Sequence, residues 1–473
     1  MTAMTPFELS CAAVALLLML NLFVRFERSG RSDRTLQAVL ATIVVDAALN
    51  PLSFATPTGL FKLQVGPYSV FLPEVVIGLA LAARLSARRP ATRWSADMLW
   101  WTAFFLWMLD AAALGILAGH PPNLVLFESK AILYIGGSFA LAAGGQLRAD
   151  GLWRLIRWAA PVAGLLVVLD QTGVRVTADL PLLPLRGFGQ VGADAATIFG
   201  ALGLVGLLLV RPAQRRPLDA VAALVLTASP LVAQQRAALI GWAISVAVAS
   251  GLVVLRRRRW LPSARRAGLS LVTIGLVAVL LLPVSLRLTR EPATAVPLVG
   301  QIRQSFVRPA KQQSWQSRRN QWAVAPTVVA EHPWVGSGLG TRYWHYELAE
   351  NQLIETDVTH NLALDLLLRT GVIGLSLFLL ALSLSLRNGL MVVRLSPDDV
   401  GAALCVGLVA VVAGLLAKGM VESILEKYRI AVLLGLSLGA LRGAAAPLRS
   451  RPPDASQSLP ALAKEGGELG GTS

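Results

Sequence analysis

Charge is scarce in this sequence. Only 15% of its 473 residues are Asp, Glu, Lys or Arg, against 55% hydrophobic residues. That is too little charge to cover the surface of a water-soluble domain. Cysteine is nearly absent: Cys11 and Cys405 both fall inside apolar runs, which excludes a disulfide framework and a zinc site. Acids are the minority sign, 27 against 43 Lys and Arg, for a formal charge of +16. In a soluble chain such a surplus points to nucleic acid, but membrane proteins collect Arg and Lys in cytoplasmic loops, so no nucleic-acid partner is expected. Period-2 alternation is missing from the apolar stretches, which excludes a spanning β-barrel, and no internal repeat is evident.

What is present is a series of apolar runs, each long enough to cross about 30 Å of hydrocarbon. In lipid such runs must be helices. They read as 8–24, 35–54, 69–86, 97–118, 125–146, 154–170, 194–211, 218–234, 237–255, 268–286, 360–386, 400–418 and 428–444. The expected fold is an all-α integral membrane protein with about 12–13 transmembrane helices. Arginine clusters recur after every second span, at 25–34, 84–93, 148–157, 211–216, 256–266, 387–394 and 442–451. All therefore lie on one side, the cytoplasm. The first span has no basic segment before it and reads as retained, not as a cleaved signal. The expected division is 1–286, N-terminal transmembrane helices; 287–359, a large extracytoplasmic loop; 360–446, C-terminal transmembrane helices; and 447–473, a disordered cytoplasmic tail rich in Pro, Gly, Ser and Glu.

Only two outer connections are long, near 171–193 and 287–359, and long loops in a compact protein are usually functional. His120, His332, His345 and His360 all lie on this outer side. Arginines there work against the positive-inside bias: Arg186 in LPLRGFGQ, Arg236 at a hairpin tip in AQQRAALIGW, and Arg318 with Arg319 in SWQSRRNQW. A guanidinium fork suits a pyrophosphate. The other reading is snorkelling to lipid phosphates or pairing with the loop's acids. No metal-ligand cluster appears in the outer loops, and no cofactor is expected. The glycine-rich PWVGSGLGT has no βαβ setting and reads as a turn that redirects the loop.

His360 opens the eleventh span. On a continuous helix Gly371 would return to about 20° from it, roughly 16 Å deeper, with Gly374 about 40° off on the other side. That stripe would put an imidazole above two glycines that let another helix approach. An imidazole with a pKa near 6.5 suits proton abstraction, although a lone histidine at a helix start also serves as a surface or capping residue. Asp365 and Arg369, spaced i,i+4 on the opposite face, read as a structural ion pair. Asp46, Glu74, Asp110, Glu128 and Lys130 lie within or near spans without assignable partners. Trp100, Trp101 and Trp107 read as an interfacial belt, and Trp315, Trp322, Trp334 and Trp344 as candidates for stacking on sugar.

The segment from Ser317 to Leu375 resembles the O-antigen ligase / O-antigen polymerase superfamily of bacterial membrane glycosyltransferases. The resemblance is carried by Arg318 with Trp322 four residues on, His332-Pro333-Trp334-Val335-Gly336-Ser337-Gly338-Leu339-Gly340, Thr359-His360-Asn361 and Gly371-Val372-Ile373-Gly374-Leu375. His360 and Gly371 enclose ten residues, like the family's His-x10-Gly signature. Arg236-Ala-Ala-Leu-Ile resembles its Arg-x3-Leu signature, with Ile240 where Leu is usual. Arg186 resembles the arginine that precedes a span ahead of that motif. The resemblance implies a glycosyltransferase-C-like helical fold in the cytoplasmic membrane, with its site facing outward. It implies an undecaprenyl-pyrophosphate-linked glycan donor held by Arg186 and Arg236, with Arg318 as a helper. His360 would activate an acceptor hydroxyl on a glycan, lipid A-core or protein, and the linkage would invert without a metal. The rival class is a flippase for the same lipid-linked oligosaccharide. That class calls for polar residues along a path through the midplane, whereas charge here gathers at the outer rim.

Overall fold

An apolar run in lipid leaves the backbone no partner but itself, so it closes its own i→i−4 bonds. The computed structural model describes residues 6–31, most of 34–42 and 62–87, 95–144, scattered positions between 153 and 203, 217–232, 236–256, 313–347, 351–425 and 428–449. Five helical stretches there are long and apolar enough to cross a membrane: Ala96–Leu117, Pro122–Ala143, Leu362–Leu395, Asp399–Gly419 and Ile430–Arg449. The chain is an all-α integral membrane protein. In chain order the helices are α1 (Pro6–Arg28), α2 (Leu72–Ser86), α3 (Ala96–Leu117) and α4 (Pro122–Ala131). A π-helical turn, Ile132–Gly137, leads from α4 into α5 (Ser138–Ala143), and α6 (Pro217–Val232) and α7 (Arg236–Leu255) follow. The last four are α8 (Gln313–Glu331), α9 (Leu362–Leu395), α10 (Asp399–Gly419) and α11 (Tyr428–Arg449).

Several details depart from the sequence reading. The expected span 69–86 starts as a strand: β1 (Lys62–Val65) and β2 (Tyr68–Phe71) form an antiparallel hairpin, and the helix begins at Leu72. The expected span 360–386 starts two residues later and runs on to Leu395. Trp101 is not an interfacial residue: it is buried, donates to Ser385 Oγ at 2.9 Å and packs against Phe104, Phe105, Phe139 and Phe378. The expected span at 268–286, and much of those at 35–54, 154–170 and 194–211, lie outside the described residues, as do Asp46 and the tail after Arg449.

Small residues let the helices approach closely, as is usual where lipid supplies no hydrophobic drive between helices. A β-carbon on Gly414 of α10 would lie 2.4 Å from the carbonyl oxygen of Gly241 on α7. The two helices run antiparallel, because Arg256, just past the end of α7, pairs with Asp399 at the start of α10 at 2.9 Å. The same sense of crossing brings the first residue of α7, Arg236, to the end of the bundle where α10 finishes.

Arginines of the basic clusters finish helices at the opposite end. Arg84 donates to the carbonyls of Ala140 and Leu141, and Arg256 to those of Val393 and Ser396. Arg442 bonds to Ala143 O and pairs with the buried Asp97 at 3.3 Å. A cation beside the carbonyl end of a helix also complements its dipole. These residues, separated by up to hundreds of positions, thus gather at one end, as the every-second-span pattern requires.

Candidate active site

The other end of the bundle is organised by a break in α9. Gly371 has φ 66° and ψ −172°, a left-handed φ that L side chains rarely adopt. The break frees backbone groups inside an apolar helix, and each freed group needs a partner. The glycine-rich loop after α8 supplies them. Ser337 and Gly338 donate to the carbonyls of Leu368 and Arg369 at 2.8 and 3.1 Å, while Val372 and Ile373 donate to the carbonyls of Pro333 and Trp334 at 2.9 and 3.2 Å. On its other side the loop is bonded to α3 and α4. Leu339 N–H reaches Ala111 O at 2.9 Å, and Gly340 N–H reaches Glu128 Oε2 at 2.7 Å. His120 Nδ1 lies 2.8 Å from Leu339 O. The loop is therefore more than a turn: it is wedged between three helices.

Glu128 also forms an ion pair with Arg369, whose Nε lies 2.8 Å from its Oε2, and Arg369 bonds to Asp365 one turn earlier on α9. The i,i+4 pair read from the sequence is present, with Glu128 as its third member. Glu74 likewise finds partners in Lys130, at 2.8 Å, and in the Tyr134 hydroxyl.

Three successive carbonyls leading to His360 each accept one side-chain donor. Arg369 Nη2 reaches Asp357 O at 2.8 Å, the Tyr343 hydroxyl reaches Val358 O at 2.9 Å, and Trp322 Nε1 reaches Thr359 O at 3.0 Å. His360 then takes a positive φ of 49°, uncommon for a residue with a β-carbon. Asn361 follows as the N-cap of α9, accepting from Ala363 and Leu364 N–H at 3.0 and 3.2 Å. Its amide also donates to Met420 O, 3.1 Å away at the end of α10. Histidine is thus not part of a continuous helix with Gly371. It stands one residue ahead of the cap, in a segment fixed on both sides.

The expected outer loop contains a helix, α8, one face of which meets this segment. Arg318, Gln321 and Trp322 are spaced i, i+3, i+4 and share that face. Gln321 Oε1 lies 2.8 Å from His360 Nδ1, and Gln321 Nε2 lies 3.3 Å from Nε2 of the buried His345. His345 comes from β3 (Tyr343–Glu347), paired antiparallel with β4 (Gln352–Thr356). Alternation along β3 buries Tyr343 and His345 and exposes Trp344 and Tyr346. Glu347 Oε2 is 3.5 Å from His345 Nε2 and accepts from the Ser317 hydroxyl.

Arg318 Nη1 donates to Val421 O at 2.8 Å, just past the end of α10. Burial lowers this guanidinium from the ordinary arginine range, and the charge of Glu422 acts in the opposite direction. Arg318 is thus one helical turn from the residue that holds His360. Arg236 stands at the same end of the bundle by its backbone, and Arg186 lies outside the described residues. Gly371 abuts the loop backbone and not another helix, whereas a β-carbon on Gly374 would meet Trp107 of α3 at 2.9 Å. Trp322 is engaged by its indole N–H and stacks edge-on with Trp315; Trp334 and Trp344 are well exposed.

Gln321 and Glu347 were given no role from the sequence, and His345 was read only as one of four histidines on the outer side. The i, i+3, i+4 spacing of Arg318, Gln321 and Trp322 and the alternation in Tyr343–Glu347 were the available signals. Residues 220–379, which contain α7, α8, both strands of the second hairpin and the first half of α9, match the family model described as O-Antigen ligase. No curated protein matches the chain.

Proposed function

We propose the following reaction, from the match of residues 220–379 to the O-antigen ligase family model within a multi-pass membrane protein, which supports glycan transfer in general. The chain moves a glycan from undecaprenyl pyrophosphate to an acceptor hydroxyl at the outer face of the cytoplasmic membrane. The observation that carries this reading is the way His360 is held. An imidazole in a constrained segment, bonded through Nδ1 to a buried amide, can present Nε2 to a substrate proton.

In the proposed step, Nε2 of His360 takes the proton of the acceptor hydroxyl as its oxygen attacks the anomeric carbon. The bond from that carbon to the pyrophosphate oxygen breaks, and the electron pair leaves with undecaprenyl pyrophosphate. Attack from the face opposite the leaving group inverts the configuration. Arg186, Arg236 and Arg318 offset the charge that grows on the pyrophosphate, the task of fixed donors in such transfers. A pyrophosphate is already a good leaving group, so charge neutralisation can stand in for a general acid. The acceptor is a sugar of a growing chain, of lipid A-core or of a protein. Domain division follows the same reading, with residues 287–359 as the outer segment and the basic clusters facing the cytoplasm.

The test is transfer by purified protein in lipid nanodiscs, with His360→Ala beside wild type. Transfer is expected to disappear while the variant stays folded; wild-type transfer by it removes His360 from the mechanism. Loss of the gene identifies the acceptor. Unattached polymer points to a ligase, single repeat units to a polymerase, and unglycosylated protein to a protein glycosyltransferase. Lipid-linked donor stranded on the cytoplasmic leaflet would instead mark a flippase.

A further inference from the structure

We infer that Gln321 and His345 are positioning residues that set the tautomer of His360 and make Nε2 its basic nitrogen. The inference rests on the reading of His360 as the base. A primary amide has one accepting end and one donating end, and Gln321 is buried between two imidazoles. Its oxygen is 2.8 Å from His360 Nδ1. Only an N–H makes that bond, so neutral His360 carries its proton on Nδ1 and its lone pair on Nε2.

The amide nitrogen faces His345 Nε2 at 3.3 Å. That nitrogen must accept, which puts the proton of neutral His345 on Nδ1. His345 Nδ1 is fully buried and has no hydrogen-bond partner among the described residues. An orphaned buried donor is unfavourable, and the reverse arrangement would avoid it. With its proton on Nε2, His345 would face Glu347, 3.5 Å away. The amide would turn over, and His360 would hold its proton on Nε2. Two arrangements therefore compete across one amide, and the observed one leaves His360 competent as a base.

Other charged or titratable groups face this chain from each neighbouring element. On β3 they are Glu347 and Tyr343, whereas Arg342 and Glu355 of β4 pair with each other at 3.1 Å on the exposed face of the hairpin; on α9 it is Asp365, 3.4 Å from Thr359 Oγ1. On α8 they are Arg318, directed at Val421 O, and the exposed Arg319. Glu347 is the one that would hold a protonated His345.

The test uses the full chain in nanodiscs, labelled with 15N-histidine. The sequence has four histidines, so the signals lost in His360→Gln are assigned to His360. The wild-type protein is expected to show a protonated Nδ1 and an unprotonated Nε2 on His360. Gln321→Leu should move the proton to Nε2. A wild-type His360 protonated on Nε2, or a tautomer indifferent to Gln321→Leu, overturns the inference. Gln321→Glu keeps the size and the acceptor and serves if the leucine variant fails to fold; its His360 should remain protonated on Nδ1.

Turnover supplies a second readout. Gln321→Leu should lower kcat by about 10–100-fold with little change in donor KM. Gln321→Glu should retain transfer, with the acid limb of the pH profile displaced upward. The sign follows because a carboxylate beside Nδ1–H stabilises the imidazolium, and the base works only when neutral. A change confined to KM, or an undisplaced limb, would assign Gln321 to packing. The tautomer is read without turnover, so transfer by His360→Ala would sink the catalytic reading alone.

Discussion

The β-carbon that Gly371 lacks would sit 2.2 Å from the carbonyl oxygen of Trp334. Both sides of that contact are backbone, so neither can rotate away. Alanine at this position would also have to adopt a φ near +66°. Strain and overpacking together should cost about 3–5 kcal/mol, enough to release the glycine-rich loop from α9. Gly371→Ala is expected to lower the melting temperature in detergent steeply and to abolish transfer. Gly374→Ala is also crowded, by Thr370 Cβ at 2.3 Å and Trp107 Cδ1 at 2.9 Å, but it has no left-handed φ to adopt and meets no carbonyl of the loop, so it should lose less. Equal melting temperatures for the two variants would contradict this account.

The membrane helices were legible because lipid enforces one solution on a long apolar run, and the arginine pattern told which ends share a side. Asp365 and Arg369 were legible as a pair because i,i+4 spacing is local. Glu128 as their third member was not, since it lies 241 positions from Arg369 and nothing in its own neighbourhood names a partner. Drawing a stripe from His360 to Gly371 assumed an unbroken helix. The positive φ values at both residues end that assumption, although the ten-residue spacing still marks the two ends of one constrained unit. Gln321 went unnoticed because α8 is a polar helix in what reads as a loop. Its partners, His345 and His360, lie 24 and 39 positions away on other elements.

Arg369 holds two carboxylates, Glu128 and Asp365, in a buried setting. Removing the cation leaves both without their charge partner. Arg369→Met should destabilise the protein by about 3–5 kcal/mol, seen as loss of folded material in detergent. Combining it with Glu128→Gln and Asp365→Asn removes the stranded charge and should recover part of the loss. No recovery in the triple variant would mean that the arginine acts through its bond to Asp357 O more than through charge.

Asn361 caps α9 and ties it to the end of α10 through Met420 O. Asn361→Ala should cost about 1–2 kcal/mol for the cap alone. Asn361→Asp keeps the cap but cannot donate to Met420, so it separates the two roles. The aspartate variant is expected to melt close to wild type and yet transfer more slowly, because the segment carrying His360 loses its anchor to α10. Wild-type rates for Asn361→Asp would show that the anchor is dispensable.

The arginines make the sharpest distinction between charge and geometry. A guanidinium offers two parallel N–H donors to a pyrophosphate, and an ammonium offers a point charge. If Arg236 grips the donor in that way, Arg236→Lys keeps the charge and loses the fork, and donor KM should rise by about 10–100-fold. Arg318 also donates to Val421 O, so its removal affects the end of α10 as well as the donor. Arg318→Ala should therefore raise donor KM and lower the melting temperature together, whereas Arg236→Lys should raise KM alone. Kinetics with purified lipid-linked donor, beside thermal melts of the same preparations, give both quantities. A lysine at position 236 that binds donor as wild type does would take the fork, and with it the pyrophosphate clamp, out of the mechanism.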